Sequence, residues 1–204
     1  MLMIDCLAVD VALIPPEDVS RGIIKLIESF NEGPTKLNLI NCLPHITLAM
    51  GIIERSKLHL AYQVINKLAK SINEIPISIE KTRVSTLQDM TKISELTVEL
   101  NSDILKLHAD VMTAFKELLT DNDVKLDYFL SPPKVSSQSI HWVKNYLKHH
   151  QSLDNYNPHI TLGKGILENL PSPIKFSNSS IALSHLGTYC TCRKILFQAS
   201  YTSQ

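Results

Sequence analysis

Apolar and polar positions along the chain follow two rhythms, and the changes of rhythm divide it into strands and helices. The run 1–14 is apolar except for Asp5 and Asp10 and ends at Pro15-Pro16, which predicts a buried strand stopped by proline. Pro15-Pro16-Glu17-Asp18 supplies a helix start with carboxylates at the positive end of the dipole. Val19, Ile23, Ile27 and Phe30 recur at helical spacing until Asn31-Glu32-Gly33-Pro34. Residues 37–40 are read as a strand, followed by an apolar β-favouring stretch at 44–54. From Ser56 onward, Leu60, Ala61, Val64, Ile65, Leu68 and Ile72 give a second amphipathic helix.

Residues 75–80 and 93–100 are read as strands, the latter alternating Ile93, Glu95, Thr97, Glu99 against Ser94, Leu96, Val98, Leu100. A third helix over 102–120 carries the stripe Ile104, Leu107, His108, Val111, Phe115 and Leu118 and ends at the turn Asp121-Asn122-Asp123. A short strand at 127–130 and a break at Ser131-Pro132-Pro133 precede a helix over 136–151 around Ile140, Val143 and Leu147. A second β stretch near 158–164, a Pro/Ser/Asn-rich loop at 169–180 and closing strands at 181–186 and 194–201 complete the pattern. Strands and helices mix without a regular βαβ rhythm, which predicts an α+β fold. No low-complexity linker interrupts the chain, so residues 1–204 are read as one domain.

Two of the β stretches are the same phrase. Residues 41–54 read NCLPHITLAMGIIE and residues 155–168 read NYNPHITLGKGILE, an offset of 114 with nine of fourteen positions identical. The identities include Pro44/Pro158, His45/His159, Ile46/Ile160, Thr47/Thr161, Leu48/Leu162 and Gly51/Gly165. On a strand, side chains alternate faces, so His and Thr share one face and Ile and Leu the other. A lone His-x-Ser/Thr carries little information in a chain with eight His, and His150-Gln151-Ser152 matches it in a polar helical stretch. The duplication with its matching flanks carries the signal: two related half-domains, each with one imidazole and one hydroxyl.

Histidine titrates nearest neutrality, so one copy can hold a proton while the other accepts one at the same pH. One imidazole would take a proton from water and the other would give one to a leaving oxygen, with Thr47 and Thr161 hydroxyls donating to an anionic oxygen. Such a set suits in-line attack on a phosphodiester, where positioning and charge stabilisation do most of the work.

Composition removes some alternatives. Twenty basic and twenty acidic residues balance, so no net charge draws the chain toward nucleic acid or membrane surfaces. An RNA substrate would therefore be engaged at an end or as a small fragment. The four cysteines form no disulfide framework for a chain of this length, and Cys190-Thr191-Cys192 lacks a second Cys or His pair at zinc-finger spacing. No HExxH or carboxylate-rich cluster suggests a metal site. Reduced thiols predict a cytoplasmic protein. The apolar start lacks a basic segment and is interrupted by acids, unlike a signal peptide or a membrane span.

The paired PHITL stretches, with the order strand, helix, HxT, helix, strands, helix, HxT, closing strands, resemble the two-histidine (2H) phosphoesterase superfamily. The similar branch is that of RNA 2′,3′-cyclic phosphodiesterases, or 2′-5′ RNA ligase-like proteins. The resemblance implies a bilobal α+β fold of two intertwined lobes. Two antiparallel sheets would be related by a pseudo-twofold axis, with helices outside and a central cleft lined by His45, Thr47, His159 and Thr161. It implies opening of 2′,3′-cyclic phosphates or cleavage of 2′-5′ linkages in a nucleotide or RNA end, without metal or cofactor. A monomer with no obligate protein partner is expected, and ligation in reverse is a further activity of the branch. The pseudo-symmetry leaves open which His is acid and which base. A non-catalytic module gripping RNA ends or nucleotides in the same cleft is the alternative.

Further candidates stand around this set. Lys164 replaces Met50 between the repeats and would bind phosphate if a bulge at Gly163/Gly165 turned it inward, since strict alternation points it away from His159. Tyr189 would stack on a base, with Thr191 on the same strand face, or else pack in the core. Arg83 and Lys134 are surface cations within reach of phosphate. His108 is read as a core or boundary residue, His59 and His185 as structural, and His141, His149 and His150 as a cluster on one helix.

Overall fold

A computed structural model describes residues 5–28, 35–71, 74–87, 90–120, 123–130, 135–150, 152–177 and 179–200. The expected first-helix end at 31–34, the break at 131–133 and Lys134 lie outside these residues, as do Phe30, Ile72 and Asn122.

Nine strands and four α-helices are found among the described residues. Strand β1 (Cys6–Ile14) is buried along its whole length, as its nearly continuous apolar sequence requires. It is the middle strand of a five-stranded antiparallel sheet. Its neighbours are β2 (Ile46–Glu54) and β8 (Ser180–Leu186), flanked in turn by β5 (Leu119–Thr120) and β9 (Cys192–Ser200). The second sheet, also antiparallel, has the order β6 (His159–Lys164), β4 (Lys92–Val98), β3 (Ile77–Thr86), β7 (Ile174–Phe176). Each sheet takes strands from both ends of its stretch of chain, so the lobes interlace. One copy of the repeated phrase lies in each sheet, and β2 and β6 approach each other between them.

Helix α1 (Glu17–Leu26) begins at Pro16 with Glu17 and Asp18 in its first turn. Helix α2 (Leu58–Ser71) packs on β8 and β9, and α3 (Ser102–Phe115) and α4 (Ser137–His149) pack on β2. Asn101 caps α3 by accepting from the Asp103 and Ile104 amides, and the helix buries Ile104, Leu107, His108, Val111 and Phe115, the stripe its spacing predicts. One large apolar cluster runs through both sheets and all four helices, and Ala12, Ile14 and Ala182 form a small second one. No helix among the described residues is long and apolar enough to cross a membrane.

Several boundaries differ from the sequence reading. Residues 37–40 form a turn: the Asn38 side chain accepts from the Ile40 and Asn41 amides, which holds the backbone off a strand path. Residues 126–128 make a 3₁₀ turn where a strand was expected. The third helix ends at Phe115, and Leu119–Thr120 pair with β2 instead. The loop at 169–180 contains β7.

The repeated phrase carries a repeated irregularity. Val11 pairs Ala49 but Ala12 pairs Thr47, so Leu48 is an extra residue in β2. Ser94 pairs Gly163 but Glu95 pairs Thr161, so Leu162 is extra in β6. These are the same position in the two copies, and both leucines are fully buried. A bulge resets the alternation. Met50 and Lys164 therefore line the same cavity as the His and Thr that precede them. In β6 the glycines permit this, with φ of 100° at Gly163 and 134° at Gly165.

Candidate active site

Between the sheets lies a cavity of about 480 Å³ whose wall includes His45, Thr47, His159, Thr161, Lys164 and Tyr189. The two HxT pairs and the candidates Lys164 and Tyr189 thus reach one space. The two imidazoles are held alike. His45 Nδ1 lies 2.8 Å from the Leu43 carbonyl, and His159 Nδ1 lies 2.8 Å from the Asn157 carbonyl, residues equivalent in the repeat. A carbonyl oxygen only accepts, so Nδ1 carries a proton in each ring and Nε2 is the atom left for chemistry.

A carboxylate from the neighbouring strand faces each Nε2. Asp10 Oδ2 of β1 is 3.5 Å from His45 Nε2, and Glu95 Oε1 of β4 is 3.8 Å from His159 Nε2. The two environments then diverge. Asp10 is wholly buried; its Oδ2 also accepts from Thr47 Oγ1 at 2.8 Å and from the Cys192 thiol at 3.7 Å. Its Oδ1 has no partner among the described residues. Burial pushes the Asp10 carboxyl up to about 6, against the opposing pull of His45 and the hydrogen bonds from Thr47 and Cys192. Glu95 is instead clamped by a cation: Arg83 Nε and Nη2 reach Oε2 at 2.7 and 2.6 Å, and Ser85 Oγ donates at 3.3 Å.

The bulge in β2 is braced from behind. Tyr156 donates its hydroxyl to the Thr47 carbonyl at 3.1 Å, and His108 donates Nδ1 to the Leu48 carbonyl at 2.8 Å. The Tyr156 and His108 rings stack at 3.7 Å, and burial lowers the His108 pKa, keeping it neutral. His108 is thus structural, and what it supports is the wall of the cleft. Helix α4 forms another wall through His141, Trp142, Asn145, Tyr146 and His149, joined by His150 just past its end. Burial, followed by the nearby His149 and His108, lowers His150 to about 4, so it is neutral at physiological pH.

Tyr189 does not sit on a strand. It occupies a tight turn (Thr188–Cys190) with φ 55° and ψ 31°, its amide donating to Ser139 Oγ at 2.7 Å, and its side chain enters the cavity half-buried. Thr191 follows that turn and does not share a strand face with Tyr189. Lys164 is exposed at the rim, turned inward by the bulge. Arg83 is engaged with Glu95. Asp10, Glu95, Trp142, Asn145 and Tyr146 were not singled out from the sequence, although the cluster of His141, His149 and His150 on one helix was. Asp10 had a legible signal, a carboxylate in the middle of an apolar strand, but the residues that justify it lie 35, 37 and 182 positions away.

Two antiparallel sheets with interlaced strands, one bulged HxT strand in each and a cleft between them, make an α+β fold of the kind seen in E. coli LigT. The solved structures agree. TT0787 of Thermus thermophilus matches over 95% of this chain and 97% of its own, with a TM-score of 0.56 and 15% sequence identity. E. coli LigT without ligand matches over 98% and 99%, with a TM-score of 0.50 and 13% identity. LigT in complex with NADP+ matches over 98% and 100% with the same TM-score and identity. No protein-family model and no curated protein matches the chain in sequence. What is shared at these identities is the fold.

Proposed function

We propose that the protein is a metal-independent phosphoesterase that hydrolyses a 2′,3′-cyclic phosphate or a 2′-5′ phosphodiester in a nucleotide or RNA end. The observation that carries this reading is the pair of imidazoles, each with Nδ1 pinned to a backbone carbonyl and Nε2 directed into one cleft. The cavity volume falls in the range of nucleotide-sized ligand sites. E. coli LigT has been solved with phosphate and with NADP+, which supports a phosphorylated nucleotide as the kind of ligand.

The unequal carboxylates suggest unequal roles. Arg83 offsets the charge of Glu95, so His159 is the imidazole favoured as neutral base. Asp10 faces no cation other than His45 among the described residues, so His45 is assigned as the acid. His159 Nε2 takes a proton from water, the water oxygen attacks phosphorus, the bond to one ribose oxygen breaks, and His45 gives its Nε2 proton to that oxygen. Thr161 donates to a non-bridging oxygen. Thr47 donates to Asp10 in this structure, and rotation of its hydroxyl toward the cleft would let it donate to phosphate instead. Lys164 offers charge at the rim, and Tyr189 and Trp142 offer faces on which a base can stack. Balanced charge and four free buried thiols accord with a monomeric cytoplasmic protein.

The test is a product-resolved assay on 2′,3′-cyclic nucleotides, cyclic-phosphate RNA ends and 2′-5′ oligoadenylates after exhaustive chelation. Ring-opened or cleaved product is expected. Binding without any turnover would leave the non-catalytic module, and turnover lost to chelation and restored by metal would overturn the metal-independent mechanism. Arg83→Gln probes the role assignment. With Glu95 no longer offset, the His159 imidazolium is favoured, and the acidic limb of the pH–rate profile is expected to move to higher pH. A limb that stays in place removes His159 as the base.

A further inference from the structure

Cys192 has no part in the chemistry above, yet it opens onto the most loaded group in the fold. The five-stranded sheet curls until Leu43, just before β2, bridges to Cys192 at the start of β9. This brings the Cys192 thiol to Asp10, beside His45. The Asp10 carboxylate, His45 Nε2 and Cys192 Sγ all lie within 4.8 Å of one another, with Nε2–Oδ2 at 3.5 Å and Sγ–Oδ2 at 3.7 Å. A tetrahedral zinc with ordinary bond lengths has N–O and S–O edges of about 3.4 and 3.6 Å. Two of the three edges are already at that spacing.

We propose that Asp10, His45 and Cys192 form a binding site for Zn²⁺ or a similar borderline-soft divalent cation, and that its occupation arrests the cleft. Charge argues for it. A dication bound by a carboxylate, a thiolate and a neutral imidazole is a neutral unit, which suits a site buried in the sheet. Asp10 Oδ1, buried and without a partner among the described residues, marks a carboxylate whose binding capacity is not used up. The ligands come from β1, the residue before β2 and the start of β9, all held by one sheet, so little chain entropy is lost on binding. Entry is from the cavity, which His45 lines with its side chain 12% exposed. On binding, the Cys192 S–H proton leaves to solvent as the S–metal bond forms, and the Nε2 lone pair of His45 is taken up by the metal. The arrest rests on the acid–base role proposed for His45; the binding does not.

The probe is Co²⁺ added to the intact chain, followed by its absorption. A thiolate-to-cobalt charge-transfer band with tetrahedral visible bands is expected, displaced by Zn²⁺, lost in Cys192→Ser and weakened in Asp10→Asn. If Cys192→Ser fails to fold, the variant with Cys6, Cys42 and Cys190 all changed to serine must keep the band, because Cys192 is then its only thiol. No band, or a band lost in that triple variant, overturns the site. The second arm is the ratio of cyclic-nucleotide hydrolysis rates with and without saturating Zn²⁺, expected to fall by about 10²-fold or more, the contribution of one acid–base group. A band without inhibition overturns the arrest and leaves the site. A band in a protein that turns over nothing leaves the site and removes the proposed function instead.

Discussion

Alanine at His45 or at His159 is expected to lower kcat for cyclic-phosphate hydrolysis by about 10²–10⁴-fold, with KM changed little. Each substitution removes a group that exchanges a proton only as the phosphoryl bonds change, so the loss falls on the transition state and not on binding. The double variant should be little worse than the worse single one, since acid and base act in one step. The two differ in stability. His159 is at the edge of its sheet and part-exposed, so His159→Ala leaves a void that water fills. His45→Ala removes the one cationic partner that a buried carboxylate has among the described residues and is expected to destabilise the fold above about pH 6, but not below about pH 4. Steady-state kinetics with product identification, and thermal melts at both pH values, check this. Full activity in either single variant ends the acid–base reading.

Asp10→Asn is expected to make the protein more stable at about pH 8 while making it a poorer catalyst. The folded Asp10 pKa is raised from 3.8 to about 6, so the native state holds this proton more tightly than the unfolded chain does. For such a group, stability is full below about pH 4 and is lost as pH rises through about 6. Above that the ionised, buried carboxylate costs about 3 kcal/mol, roughly two pKa steps of about 1.36 kcal/mol each and a fraction more. Asparagine carries no charge, and its carbonyl still accepts from Thr47 and Cys192. The melting temperature of the variant should exceed that of the wild type at about pH 8, and the difference should close by about pH 4. Activity should fall about ten- to hundredfold, the worth of a charged hydrogen-bond partner for the His45 imidazolium. A variant whose stability relative to the wild type is the same at both pH values would mean that folding leaves the Asp10 carboxyl with the proton affinity it has in the unfolded chain.

The trade between these two effects is a physical signature of a site. A fold that only needed to be stable would place an apolar residue at the centre of β1, between Val9 and Val11. The carboxylate stays because it orients His45 and Thr47 together, from the strand next to both. Glu95 holds the equivalent place beside His159, and Arg83 makes the two halves unequal. Near-identical phrases thereby meet unequal neighbours, a difference that suits the acid and base roles proposed for them.

Legibility in the sequence followed the range of the forces involved. Helix faces and strand alternation depend on contacts within a few residues, so α1 to α4, β1 and β2 were readable from spacing alone, whereas β3, read over 75–80, runs on to Thr86 where β4 pairs it. The exceptions are local contests decided by a single side chain. Asn38 turns residues 37–40 away from a strand path, and Leu119–Thr120 leave the third helix because β2 offers them an edge. Lys164 turned on the bulge at Leu162. Its glycine flanks made a bulge conceivable, and the register against β4 produced it.

By itself, then, the sequence determined that two equivalent strands would each present an imidazole and a hydroxyl on one face, because side-chain direction along a strand is a property of the backbone. It could not determine what would stand opposite them. Asp10, Glu95, Arg83 and Cys192 reach the two histidines only through pairing between strands far apart in the chain and through the curl that brings Leu43 to Cys192. Proton affinity and metal affinity depend on charges within a few ångströms, and those distances exist only once both sheets have closed on one cleft.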